Sequence, residues 1–334
     1  MTVSKNNFFI GNKDEGNPYI GDLEQGIEYD SYEINFSLIE REGNQTLILP
    51  SYTAGARRLI RHLPIIKNQA ILEIGSGTGI STLEVLLKNP DSFVFGIEIS
   101  EGMARLAKYK FNQAHEDFSK IRVNDNLLKY FAKFRLISSK YRDSAKFIVN
   151  DFESVELEKE SFDNALANYS LHWMNLSIVF DQLNKFLKKG ASLAWNTSSH
   201  FYNDKNFPSL EYGFRYNDFL KYVLDEVNKS VNVVLDYSKL SNPKHNLESL
   251  NLTSSKSGFK VEHITTYLTP IDLQLFIKNH LFSIVSQVCD KDVDSAHLEG
   301  VTKRAIKRMI NNPKATSDMK HKYEITPIFI SSRI

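Results

Sequence analysis

The stretch Ile71-Leu72-Glu73-Ile74-Gly75-Ser76-Gly77-Thr78-Gly79 constrains the fold of this chain more than any other. Three apolar residues and one acid read as a short buried strand. Three alternate glycines then make a tight turn, and residues 80–88 read as a helix. Glycine lets the backbone turn sharply and a ligand approach with no Cβ in the way. The helix start beyond it offers unpaired N–H groups. This is the first strand–turn–helix of a nucleotide-type α/β fold.

The glycine spacing separates two cofactor classes. A dinucleotide fingerprint needs G-x-G-x-x-G; with Gly75 and Gly77 as the first two glycines, the third should stand at position 80, which is Ile80. The chain instead has E-x-G-x-G-x-G, from Glu73 through Gly75, Gly77 and Gly79, and so resembles motif I of the class I S-adenosylmethionine-dependent methyltransferases. The resemblance implies S-adenosyl-L-methionine as cofactor, held at this turn by Glu73, Gly75, Ser76, Gly77 and Gly79.

Three further strands follow in order. Residues 92–99 (SFVFGIEI) are an apolar strand ending in Glu98 and Ile99. An acid at that point can accept both hydroxyls of a ribose; the alternative is a solvated strand-end acid. Met103, in the turn after it, resembles the family's methionine that packs on adenine. Residues 145–149 (AKFIV) are a strand running into Asp151 and Phe152, which match the family's acid and apolar residue at the adenine. The alternative for Asp151 is a helix N-cap. Residues 161–169 form the fourth strand, running into Ser170-Leu171-His172-Trp173. Phe162, Asp163, Asn168, Leu171 and Trp173 resemble the F-D-x-x-x-x-N-x-x-L-Q-W pattern of the small-molecule branch that includes trans-aconitate and malonyl-carrier-protein methyltransferases. His172 stands where that pattern has glutamine, and the resemblance adds Asn168 and Tyr169 to the cofactor site.

The chain has 334 residues and a formal net charge of +1. Near-neutrality argues against a nucleic-acid substrate, which favours a strongly basic face. A single cysteine, Cys289, excludes an internal disulfide and fits a reducing, cytoplasmic compartment. No apolar run is long enough to cross a bilayer. The nine histidines show no paired metal spacing, so no metal is expected. The expected partner is a small-molecule or carrier-protein-bound substrate, with no nucleic acid and no membrane, and the chain is expected to be a monomer or a homodimer.

Four segments follow. Residues 1–50 form an N-terminal arm or lid, in which Tyr29-Asp30 resembles the family's "YD" helix over the cofactor; a mobile arm is the alternative. Residues 51–198 form the Rossmann-like core. It opens with a helix over 51–63, capped by Ser51, with Arg57, Arg58 and Arg61 on a solvated face. An extra helix lies within 113–142, marked by Leu127, Leu128, Phe131, Phe134 and Leu136. A helix over 175–188 is stopped by Gly190, and strand five spans 191–198. Residues 199–258 form a cap insertion rich in Phe and Tyr, with a helix over 219–231. Residues 259–334 hold strand six (259–268), helices over 270–289 and 293–310, and a last strand at 323–331. The expected architecture is α/β: a doubly wound, mostly parallel sheet, for which the family resemblance implies seven strands with the last antiparallel, and a helical cap from insertions after strands five and six.

Methyl transfer from a sulfonium is an in-line displacement, so the protein mainly supplies alignment. A hydroxyl acceptor benefits from a base, whereas a carboxylate needs none. His172, just past strand four, is the expected base, with a loop-orienting role as its alternative; His200 and His280 are weaker candidates. The expected function is methylation of a small or carrier-bound metabolite at oxygen. The alternatives are a C-methyltransferase and a non-methylating cyclase or binding protein that keeps the cofactor.

Overall fold

The structure, a computed structural model, describes residues 23–35, 37–42, 45–118, 123–196, 225, 227–229, 253–264, 300–301, 304 and 328–334. The chain divides into two compact units, one made of residues 1–18, 198–246 and 265–327 and the other of residues 19–197, 247–264 and 328–334. In the first, the described residues at 225, 227–229, 300–301 and 304 are helical, with Val227 and Val301 buried. These agree with the helices expected over 219–231 and 293–310. Residues 253–258, expected in the cap, belong instead to the second unit: 253–256 are helical, and the Ser257 hydroxyl donates to Asp181 at 2.5 Å. Most of the expected cap, with His200, His280 and Cys289, lies outside the described residues.

The second unit carries the sheet. Its elements are α1 (Leu23–Asn35), β1 (Ser37–Glu42), β2 (Gln45–Pro50), α2 (Ser51–His62), β3 (Ala70–Ile74), α3 (Ile80–Lys88), β4 (Phe93–Glu98), α4 (Glu101–Lys110), α5 (Asp125–Ser138), β5 (Ala145–Val149), β6 (Phe162–Asn168), α6 (Leu176–Phe186), β7 (Leu187–Asn196), β8 (Phe259–Ile264) and β9 (Ile328–Arg333). Seven strands form one sheet in the order β5-β4-β3-β6-β7-β9-β8. Strands β3 to β7 pair in parallel, and β9 runs antiparallel to both β7 and β8. The order reverses between β4-β3 and β6, which is the switch point where doubly wound sheets bind ligands.

The core is aliphatic and aromatic in layers. Ile71, Val94 and Leu166 of the central strands are fully buried with Leu59 of α2, Val85 and Leu86 of α3, and Phe111. A second cluster joins Leu23 and Ile27 of α1 to Leu106, Leu127 and Phe131. The extra helix is α5. Asn124 caps it by accepting from the Leu127 N–H at 2.9 Å. Leu127, Phe131 and Phe134 face inward, each contributing about 1.5–3 kcal/mol on burial. Leu128 and Leu136, which also marked the helix in the sequence, are exposed.

Three other details depart from expectation. Residues 1–50 hold an antiparallel hairpin, β1 with β2, as well as a helix. The helix after β6 ends at Phe186 rather than at Lys188, because Leu187 already pairs with Phe162. Gly190, at φ +77°, instead absorbs a register shift between that pair and Asn164–Ser192. Arg58 is buried rather than solvated, and Arg57 pairs with Glu84 at 2.7 Å.

Candidate functional site

The turn after β3 is built as the sequence demanded. Gly75 and Ser76 donate backbone N–H bonds to the Ile97 carbonyl at 2.8 and 3.0 Å, which lock the turn onto β4. Gly75, Gly77 and Gly79 have φ of +66°, +53° and +80°, where a side chain is strained. Packing separates their roles. A Cβ on Gly75 would lie 2.4 Å from the Ser170 Cβ, and one on Gly79 would lie 3.0 Å from the Phe111 ring. A Cβ on Gly77 meets nothing nearer than the Tyr29 ring at 3.8 Å. Gly77 is therefore the glycine whose backbone stays open to a ligand. The Ser76 hydroxyl is buried with no hydrogen-bond partner, close to where a Cβ on Gly96 would stand.

Glu98 is buried, which excludes the solvated strand-end reading. Its carboxylate accepts the Gly77 N–H at 2.7 Å and the Ser100 N–H at 2.9 Å. Burial pushes its pKa up, and those backbone donors pull it down. Ile99 follows half-buried, and Met103 is buried, its N–H bonded to the Ser100 hydroxyl at 3.3 Å. Asp151 is half-buried and accepts the Glu153 N–H at 3.1 Å within a turn, not at the start of a helix. Phe152 is buried edge-on against Phe186, with ring centroids 6.3 Å apart.

Glu73 takes a different part. Its carboxyl accepts the Thr82 hydroxyl of α3. Burial raises its pKa to about 8, with the nearby Glu98 charge adding to the effect. The bond ties strand to helix.

The segment after β6 is also engaged with the protein. The Asn168 side chain donates to the Tyr52 carbonyl and the Ser81 hydroxyl, both at 3.0 Å, and accepts from Asn196 at 2.9 Å. Tyr169 sits at φ +55°, its N–H held by the Asn196 carboxamide oxygen at 2.7 Å. Ser170 donates to the Ile74 carbonyl at 2.6 Å. The backbone of His172 lies in the short turn Leu171–Trp173; its side chain is outside the described residues. Asp163 is remote from this end. It accepts the Ala70 N–H that opens β3, at 2.8 Å, and pairs with Lys188 at 2.6 Å.

Helix α1 packs beside the turn rather than forming a mobile arm. The Tyr29 ring stacks on Tyr52 at 4.2 Å, and Tyr52 meets Tyr169 edge-on at 5.7 Å. Asp30, fully buried, accepts from Thr78 of the glycine turn and pairs with buried Lys110 at 2.8 Å. Glu33 caps α2. It accepts the Tyr52 N–H at 2.7 Å, the Thr53 N–H at 3.1 Å and the Thr53 hydroxyl at 2.7 Å. Burial raises its pKa to about 7 against those three donors. The sequence reading gave the cap to Ser51, whose side chain is not described. It missed Glu33 and Lys110 altogether. A signal for Asp30 was present: Leu23, Ile27, Asp30 and Ile34 recur at helical spacing, which places Asp30 inside the apolar stripe.

Residues 72–195 match a family model described as a methyltransferase domain. The chain is 24% identical over 200 residues to a malonyl-(acyl-carrier protein) O-methyltransferase of Nitrosospira multiformis, covering 59% of this chain and 60% of that protein. It is 28% identical over 172 residues to another protein of that activity from Ilyobacter polytropus, covering 48% and 54%. The chain thus spans little more than half the length of these curated relatives. Among solved structures, that of the (4+2)-cyclase SpnF superposes with a TM-score of 0.51 at 13% identity, covering 95% of this chain and 98% of that one. This likeness concerns the fold.

The residues present fit S-adenosylmethionine. Open backbone at Gly77, an acid beside it with backbone donors and a tyrosine ring over the turn make a cradle that a Cβ at position 77 would narrow. Among the described residues no three His, Cys, Asp or Glu side chains cluster as metal ligands, and no helix is long and apolar enough to cross a membrane.

Proposed function

We propose that the chain methylates the oxygen of a small or carrier-bound metabolite, with the free carboxylate of a dicarboxylic acid whose other carboxyl is thioester-linked to a carrier protein as the favoured acceptor. The observation that carries this reading is the switch-point cradle itself: Gly77 open, and Glu98 buried and held by the Gly77 and Ser100 N–H groups. The similarity to malonyl-(acyl-carrier protein) O-methyltransferases supports the acceptor class. When bound, the cofactor supplies an electrophilic methyl group on a sulfonium. The protein's part is alignment. Glu98 takes the ribose hydroxyls, Gly77 leaves room for the methionine portion, and Tyr29 closes over it. Asp151 and Phe152 take the adenine. Glu73 and Asn168 act one layer out, through Thr82 and Tyr52. A carboxylate acceptor is already ionised, so no side chain has to remove a proton. The balanced charge and the expected cap favour a metabolite over nucleic acid, and the reading places the enzyme in the cytoplasm as a monomer or homodimer.

Methyl-labelled cofactor, incubated with malonyl-loaded carrier protein, malonyl-coenzyme A and free dicarboxylates, tests this. The expected result is label in a base-labile methyl ester on the carrier-bound acid. Cofactor binding without label in any carboxylate overturns the acceptor assignment. Label at carbon supports a C-methyltransferase instead.

A further inference from the structure

Lys110 is the one charged side chain of α4 that is wholly buried, and no bulk solvent compensates it. Its ammonium donates to Asp30 at 2.8 Å and to the Thr78 hydroxyl at 3.1 Å, and stands over the Phe134 ring at 4.2 Å from the centroid. Thr78 in turn donates to Asp30. Three segments distant in sequence therefore meet at one closed set of bonds: α1, the glycine turn and the end of α4.

Two consequences converge on the cofactor cradle. Thr78 follows Gly77, so fixing its side chain fixes the peptide between them and the neighbouring N–H that holds Glu98 at 2.7 Å. Asp30 follows Tyr29, so anchoring it sets the ring that a Cβ on Gly77 would meet first. A buried ion pair is poor evidence for stability, since matched apolar residues serve as well or better. It is better suited to fixing one geometry among several.

We infer that Lys110 and Asp30 are positioning residues of the cofactor site: through Thr78 and Tyr29 they lock the turn and α1 into the shape that receives the adenosyl group, and so couple docking of α1 to cofactor binding. This rests on the methyltransferase reading above. It extends it to residues that touch no substrate. Both walls of the cradle are set by the same three side chains, so ligand binding and α1 docking favour each other reciprocally.

The test uses S-adenosylhomocysteine as probe, with its Kd measured by calorimetry, amide exchange measured over residues 23–35, and melting as the fold control. The double variant Asp30→Leu/Lys110→Met replaces the pair by apolar side chains, and Thr78→Val keeps the shape of the threonine without its hydroxyl. The parent should bind the probe, and binding should slow exchange in α1. The double variant should melt like the parent, lose affinity by about tenfold or more, a usual size for such coupling, and show no ligand-dependent protection of α1. Thr78→Val should lose affinity about tenfold on the same ground, and Thr78→Ser should restore it. Parent-like affinity and protection in a folded double variant overturn the inference. If the double variant does not fold, parent-like affinity in Thr78→Val overturns it and a loss rescued by Thr78→Ser supports it. A parent that does not bind the probe instead overturns the methyltransferase reading, and this inference with it.

Discussion

The glycine turn after β3 takes its shape mainly from its own backbone, and the Thr78 hydroxyl ties it to Asp30. Two N–H bonds run to Ile97, positive φ occurs at alternate positions, and the walls behind Gly75 and Gly79 leave no room for a Cβ. The α1 side of the same site is held by charge: Asp30 on Lys110 and Thr78, and Glu33 on the first N–H groups of α2. The first wall is local, spanning a few consecutive residues. The second joins side chains 80 positions apart. A local backbone rule can be read from a motif; a long-range ion pair cannot. Substitution should affect the two differently, and that difference is where the comparison can be broken.

The largest effects belong to the backbone wall. Gly75→Val meets Ser170 at a strained φ, so overpacking and left-handed strain add. The expected loss is on the order of 3–5 kcal/mol in denaturant titration. Gly77→Val carries only the strain, roughly 1–2 kcal/mol, yet should abolish measurable cofactor binding because its side chain enters the open cradle. If both variants lose stability equally, or Gly77→Val binds cofactor like the parent, the division between packing glycines and ligand glycine fails.

Next in size is Glu98→Ala. It removes the acceptor for the Gly77 and Ser100 N–H groups as well as the ribose bonds. Charged hydrogen bonds contribute about 1.5–3 kcal/mol each, so calorimetry should show cofactor affinity lowered by at least tenfold. Unchanged affinity would move the ribose elsewhere.

The buried acids give a smaller effect, and its sign is set by their shifts. Glu33 and Glu73 are raised from an ordinary 4.5 to about 7 and about 8. Between those limits the folded state holds more protons than the unfolded state, so stability falls as pH rises from about 4.5 to 8, by up to about 1.4 kcal/mol per unit for each group. Below that window the burial costs nothing extra, because both forms are neutral. Glu73→Gln mimics the protonated acid and still accepts from Thr82. Above pH 8 it should be more stable than the parent by on the order of 1–3 kcal/mol, with parent-like cofactor affinity. A large loss of affinity would put Glu73 back in direct contact with the cofactor.

These residues also show what the sequence could reveal. The helix at Ile80–Lys88 and the strand at Ala145–Val149 fall within the bounds that apolar runs and glycines predicted. The number of strands, their mostly parallel direction and the antiparallel last strand agree with what the family resemblance implied. Local periodicity and short turns mark the individual elements. The hairpin β1–β2 escaped notice although Gly43-Asn44 between its strands is a recognised two-residue loop signal; the polar composition around it hid the alternation. Glu73 and Asn168 matched family positions, but which neighbour a side chain chooses is a tertiary fact, and here Thr82 and Tyr52 take them. Glu33 and Lys110 carried no motif at all. Their burial follows from the packing of α1 on α4, which no local pattern encodes.

The smallest effect is expected at His172, where the sequence reading placed the general base. Its backbone lies in the turn Leu171–Trp173, directly after Ser170, whose hydroxyl bonds to the Ile74 carbonyl. The residue therefore stands near the carboxyl end of β3, on the ligand side of the sheet. Loss of a working base costs typically 10²–10⁴-fold in turnover, roughly 3–5 kcal/mol of barrier. A carboxylate acceptor has no proton to give up at neutral pH, so His172→Gln should turn over malonyl-loaded carrier protein within about threefold of the parent, far below the loss general-base removal brings. For the same reason the parent rate should show no fall as pH drops through the histidine range, about 6.5. Cofactor affinity should be unchanged in either case, which separates a chemical effect from a binding one. A hundredfold loss in kcat with intact cofactor binding would restore the base assignment and, with it, a hydroxyl or acidic carbon as the methyl acceptor.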